Sequence, residues 1–192
     1  IDPNKEYNLH EGLNLISFPV PGSVLISEGI PDNLENSIPY IISESVATAY
    51  IDGNWVGSLE RFSGGDGYWF NVDEAMTFQY ELEMLEPLSR NKSINKFNND
   101  DSPYYFSQSS VQSFYFINLN HISISKSGDW ILVYNNDILV GSRQWDEGYI
   151  DVPVMGFDGT WNTIGYPELG DGIEFRLYSI SKQVEYPLIV EN

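Results

Sequence analysis

The sequence predicts an all-β protein made of two tandem β-sandwich-like domains related by internal duplication. Three observations carry that prediction. Short apolar runs bounded by Gly, Pro, Asn, Asp and Ser recur along the chain, while helical periodicity is scarce. The stretch YIDGNWVGSL at residues 50–59 returns in close copy as YNNDILVGSR at residues 134–143. Between the copies, residues 89–102 (SRNKSINKFNNDDS) are polar and poor in large apolar side chains, the composition of a linker. The expected domains are therefore residues 1–88 and 103–192, joined by 89–102.

Taken in order, residues 13–20 (LNLISFPV) read as a strand with Leu13, Leu15 and Phe18 facing a core. The PVPG that follows stops it, because Pro removes a donor and Gly turns the chain. A helix or helical turn is expected near residues 27–34. Residues 68–72 (YWFNV) and 76–82 (MTFQYEL) predict a hairpin around Asp73-Glu74. In the second half, residues 111–118, 121–125, 130–134, 138–140, 173–178 and 184–190 all read as strands.

The duplication can be followed residue by residue. Aligning Tyr50 with Tyr134 brings Val56-Gly57-Ser58 onto Val140-Gly141-Ser142 without a gap. Gly65-Asp66-Gly67 then corresponds to Gly170-Asp171-Gly172, each ahead of an aromatic-rich strand. The spacing from Gly57 to Gly65 is 8 residues and from Gly141 to Gly170 is 29, so the second copy carries an insertion of 21. That insertion covers roughly residues 145–166 and reads as a long loop. Asn, Asp and Gly suit the positive φ of hairpin turns, so the simplest reading of each Gly-Asp-Gly is a turn.

Charge and composition exclude several functions. The 192 residues include 9 basic and 28 acidic side chains, a net charge of -19, so neither nucleic acid nor an anionic membrane surface is an expected partner. Such acidity suits a soluble surface protein, a cation binder or a chain from a salty environment. Disorder is not expected, because hydrophobic residues make up 42% and aromatics 15%, enough for a core. Without cysteine there is no disulfide, zinc-thiolate or thiol-nucleophile chemistry. No apolar run is long enough to span a bilayer. The opening IDPNKEYNLHEG has no signal-peptide pattern, so a secreted form would be a mature or excised segment.

Several motifs support a family resemblance. GLNLISFP at residues 12–19, IISESVA at 41–47 and GNWVGSL at 53–59 resemble a repeat of secreted and surface proteins of marine bacteria, with relatives in marine phage particles. The second half is similar to a companion module with the pattern GDW, ND, VGSRxW and DVPVMGxDG, here within residues 128–145 and 151–159. The resemblance implies an extracellular, cell-surface or virion-surface context and no reaction. Relatives often carry a cysteine pair flanking the DVPVMG stretch; this chain has none, which leaves packing or a cation to hold that segment.

No catalytic constellation emerges, and the expectation is a non-enzyme. There are two histidines, His10 and His121, and no nucleophile elbow, P-loop or dinucleotide fingerprint. With 28 acids, a carboxylate pair at glycosidase spacing would arise by chance and so carries no information. Calcium is the one cofactor considered. Its oxygen donors would be Asp66, Asp137, Asp151, Asp158 and Asp171, although no DxDxDG loop is present and ordinary Asx turns explain them as well. Candidate ligand-binding aromatics are Trp55, Trp69, Trp145, Tyr149 and Trp161, with Trp145 and Trp161 expected to be exposed in the inserted loop. Three readings stay open, the first favoured: a structural or adhesion module that assembles with copies of itself or with another surface or particle protein; a glycan-binding module, with or without calcium, of a larger secreted enzyme; and an enzyme of unknown type.

Overall fold

Strand accounts for 43% of the computed structural model and helix for 6%, which makes the protein all-β, as the short apolar runs predict. Residues 2–87 and 103–189 are described. The predicted linker at 89–102 and the Asn91-Lys92-Ser93 glycosylation tripeptide lie outside them. The chain divides into two compact units, Ile1–Phe97 and Asn98–Asn192.

The first unit holds β1 (Tyr7–Leu9), β2 (Gly12–Ser17), β3 (Ser23–Leu25), β4 (Tyr40–Ile42), β5 (Ala47–Ile51), β6 (Asn54–Gly57), β7 (Arg61–Ser63), β8 (Gly67–Val72) and β9 (Met76–Phe78). A five-stranded antiparallel sheet runs in the order β2-β8-β4-β5-β6, with β1-β9 and β3-β7 as separate pairs. Period-two alternation sends Ile16, Ile41, Tyr68, Phe70 and Val72 into one core. That core is aromatic: Tyr80 meets Phe18, Phe62 and Phe78 edge to face with ring centres 4.8–5.0 Å apart. Such pairs add stabilisation beyond the area they bury.

Three expectations for this unit are corrected. Leu13 and Leu15 do not face the core. β2 pairs with β8 so that Ile16 lies opposite Tyr68 and Leu15 opposite Trp69, and the alternation that buries Ile16 turns both leucines outward. Asn14 takes the buried position above Ile16 and is satisfied by His10 O, His10 N and Gly12 O. The hairpin at Asp73-Glu74 is not a hairpin. β8 lies between β2 and β4 while β9 pairs with β1, so the chain changes sheets there. The helix shrinks to α1 (Ile26–Gly29), because Pro31 cannot continue it; a 3-10 turn follows at Glu35–Ser37.

The second unit holds β10 (Gln112–Asn118), β11 (Trp130–Asn135), β12 (Ile138–Gln144), β13 (Tyr149–Met155), β14 (Glu174–Ser179) and β15 (Val184–Leu188). The sheet β12-β11-β14-β15 and the pair β10-β13 contribute opposite walls of one core, with Ile131, Val133, Phe175 and Leu177 from the first and Ile117, Val152 and Val154 from the second. Residues 145–166 are therefore not a long loop. They contain β13, which pairs with β10 along its whole length. Residues 121–125 are not a strand either: Ile122 N–H and Ser125 N–H bond back to Leu119 O and Ile122 O, closing successive turns.

The repeated stretch forms a two-residue hairpin in each unit. Asp52 (φ 51°) opens the β5–β6 turn and Asn136 (φ 54°) the β11–β12 turn. The first glycines of the two Gly-Asp-Gly turns, Gly65 and Gly170, are also left-handed, at φ 96° and 98°. Beyond the turns the units diverge. β4 intervenes between β5 and β8, whereas β11 pairs directly with β14. A register shift between Val133 and Tyr134 also moves the second hairpin by one residue. Independently of that shift, whose extra residue lies on β12, Tyr50 shares a face with Thr48 and the core residue Ile41, while β11 turns Ile131 and Val133 to the core and leaves Tyr134 on the face away from Val133 and Phe175.

Candidate functional site

At the open end of the first unit's sheet, the β5–β6 hairpin and α1 border a pocket of about 360 Å³. Its floor includes Ile26 and Leu59, which belong to the core, and its wall includes Tyr50 and Trp55. The tight turn at Asp52-Gly53 makes Tyr50 and Trp55 directly cross-strand, with ring centres 5.1 Å apart and planes tilted by 49°. Glu35, delivered by the 3-10 turn, locks this pair: Trp55 Nε1–H donates to Glu35 Oε1 at 2.7 Å. The Tyr50 hydroxyl also bonds to Glu35. That bond, with burial and the negative charges of Glu35 and Asp32, holds the Tyr50 phenol above its ordinary pKa. Glu60 stands exposed at the rim, and no residue lining the pocket is basic. The arrangement offers two aromatic faces and two carboxylates.

The predicted site residues scatter. Trp55 lies in the pocket. Trp69 lies on the outer face of the same sheet, 44% exposed beside Leu15. Trp161, in a 3-10 turn at Trp161–Thr163, is 81% exposed, as expected of it. Trp145 is corrected: it is only 4% exposed and packs in the second core. Its backbone bonds to Asp129 O and Gly128 N–H, and its indole donates to Gly148 O at 3.1 Å, so it extends β12 inward. Tyr149 is half-buried at the start of β13, opposite Asn118.

The five aspartates do not form one calcium site. Asp66 and Asp137 are exposed in separate turns, and Asp171 accepts Glu168 N–H at 2.9 Å in a third. Asp151 is fully buried with Arg143 at 2.9 Å. Asp158 accepts from Thr160 Oγ1 and Thr163 Oγ1, both at 2.7 Å, and from the Thr160 and Ser110 amides. These bonds, the Thr163 hydroxyl first, hold its carboxyl well below the usual carboxylate range. Among the described residues, no three His, Cys, Asp or Glu side chains group as a metal site.

Sequence reasoning missed Glu35. It sits in DNLENSIPY, which matches no motif, and only the fold brings it to Tyr50 and Trp55, 15 and 20 residues away. No protein-family model, curated protein or solved structure matches this chain.

Proposed function

We propose that this chain is a non-enzymatic structural or adhesion module of a cell or particle surface, outside the cell, that assembles with copies of itself through the β2 edge. The observation behind this reading is the character of that edge. β2 ends the five-stranded sheet, with β8 as its only ladder partner among the described residues, and its six residues include no charge and no proline. Leu13 and Leu15 on it are 46% and 59% exposed, continuing onto Trp69. Natural edge strands usually carry charges, prolines or bulges that block further pairing, and an edge without them is a template for another strand.

Light scattering and sedimentation over a concentration series test this. Oligomers that grow with concentration and dissociate in Leu15→Lys support the reading. A wild-type monomer at high concentration, or assembly indifferent to Leu15→Lys, refutes it. The exposure of Trp161 favours a second reading, a glycan-binding module. A glycan screen of wild type against Trp161→Ala decides that case: binding lost in the variant supports it, and no binding by either protein removes it.

A further inference from the structure

We propose that the Tyr50–Trp55 pocket binds a cationic organic headgroup, an alkylammonium or guanidinium group, held against the exposed ring faces and beside the carboxylates of Glu35 and Glu60. This site lies on the opposite face of the sheet from Leu15 and Trp69 and does not depend on the assembly reading.

Three observations converge on it. The first is charge without a counter-charge. Glu35 and Glu60 line the pocket, Asp32 adds its field at Tyr50, and no lining residue is basic. A carboxylate has roughly four acceptor positions, and the Trp55 and Tyr50 donors leave Glu35 capacity for an incoming N–H. The second is the ring pair. Trp and Tyr present negative faces to a cation, Trp most strongly, and aromatic walls with a carboxylate are the recurring chemistry of ammonium recognition. The volume of about 360 Å³ is near the lower end for small-molecule sites, which suits a headgroup better than a sugar chain.

The third is a filled example in the same chain. In the second unit the guanidinium of Arg176 lies 4.5 Å from the centre of the Tyr134 ring. It also bonds to Glu174 at 3.0 Å and Glu185 at 3.1 Å. Tyr134 aligns with Tyr50 in sequence but lies on the opposite face of its sheet, so it illustrates the chemistry and is not an equivalent site. There, ring and carboxylates receive an internal cation. In the pocket of the first unit, a tyrosine, a tryptophan and two carboxylates line a space with no basic residue in its lining.

The test uses the intact chain and the indole N–H resonances of its five tryptophans, with Trp55 assigned through Trp55→Phe. Choline chloride and Nα-acetyl-arginine amide are titrated separately, against sodium chloride at matched ionic strength and neutral methyl β-glucoside. The expected result is a saturable shift of the Trp55 indole with at least one cation and none with salt or glucoside. Glu35→Gln keeps an oxygen for the indole N–H, and Glu60→Gln changes only the rim; each is expected to weaken binding about tenfold. Preference for choline identifies a free quaternary ammonium ligand, and preference for the arginine amide a basic side chain of a partner. The proposal is overturned if Trp55 does not respond to either cation up to about 50 mM, a concentration above any useful affinity. It is equally overturned if the glucoside or salt produces the same shift, or if both Gln variants bind like wild type.

Discussion

Arg143 and Asp151 form a buried ion pair across the β12–β13 corner: Nη2 meets Oδ2 at 2.9 Å, and Nε–H donates to the Asp151 carbonyl at 2.8 Å. Burial lowers the Arg143 pKa, and the Asp151 charge opposes that shift. Removing one partner strands the other charge in the core. Asp151→Ala is expected to cost about 3–5 kcal/mol in urea unfolding, whereas the double change Arg143→Met with Asp151→Leu costs far less. Equal losses in the two variants would show that packing, not charge, dominates this corner.

Tyr80 is expected to be replaceable with a gain. Its ring is the hub of the aromatic core, but its hydroxyl is buried with no hydrogen-bond partner among the described residues. Burial also raises its pKa well above the ordinary value. Tyr80→Phe keeps the ring contacts and removes the unsatisfied oxygen, which predicts stabilisation of about 1 kcal/mol. A lower thermal midpoint in the variant would contradict this.

Gly57 and Gly141, the aligned glycines of the two Val-Gly-Ser stretches, are required for different reasons. Gly57 has φ 128°, a backbone that side chains adopt at a cost of about 1–3 kcal/mol. At Gly141 the constraint is space, since an added Cβ would lie 1.8 Å from the carbonyl oxygen of Pro153 on β13. Gly141→Ala is therefore expected to be the more damaging substitution, at about 3 kcal/mol or more, because β12 and β13 must separate. Denaturation midpoints of the two alanine variants, compared side by side, check the order.

Asp158 predicts an acid-sensitive turn. Its folded pKa is depressed, so its contribution is fully present above the unfolded value of about 4 and is lost as pH falls through the lower folded value. The amide resonances of Thr160 and Ser110, which bond to this carboxylate, should hold their positions at neutral pH and move together in strong acid. In Thr163→Val, which deletes the first of its hydroxyl partners, the movement should begin at higher pH. Movement centred at an ordinary carboxylate pKa in both proteins would contradict the assignment.

Much of the strand content was legible because alternation and turn chemistry are local. Residues 130–134, 138–140 and 173–178 fall on β11, β12 and β14, and the repeated turns carry the positive φ that Asn, Asp and Gly favour. Pairing was not legible. The run 76–82 looks like the return arm of β8, yet β9 joins β1, nearly seventy residues earlier. Faces were unreadable wherever both alternating sets are apolar: LNLIS offers Leu13 and Leu15 on one side and Ile16 on the other, and only the partner strand decides between them. Trp145 and Asp151 were misplaced for a related reason. Counting residues between motifs marks an insertion, but it does not reveal that the insertion contains a core strand.

The sequence by itself determined that this chain is all-β, cysteine-free and strongly acidic, and where its tight turns fall, since these depend on composition and on neighbours a few residues apart. Only the tertiary structure decided that Glu35 meets Trp55 and Tyr50, that Arg143 neutralises Asp151, and that aligned tyrosines face opposite ways. The physical reason is common to all three. Each depends on strand order or on which of its two alternating faces a strand turns to the core, and the opposite choice inverts every side chain without changing the local pattern from which strands are read.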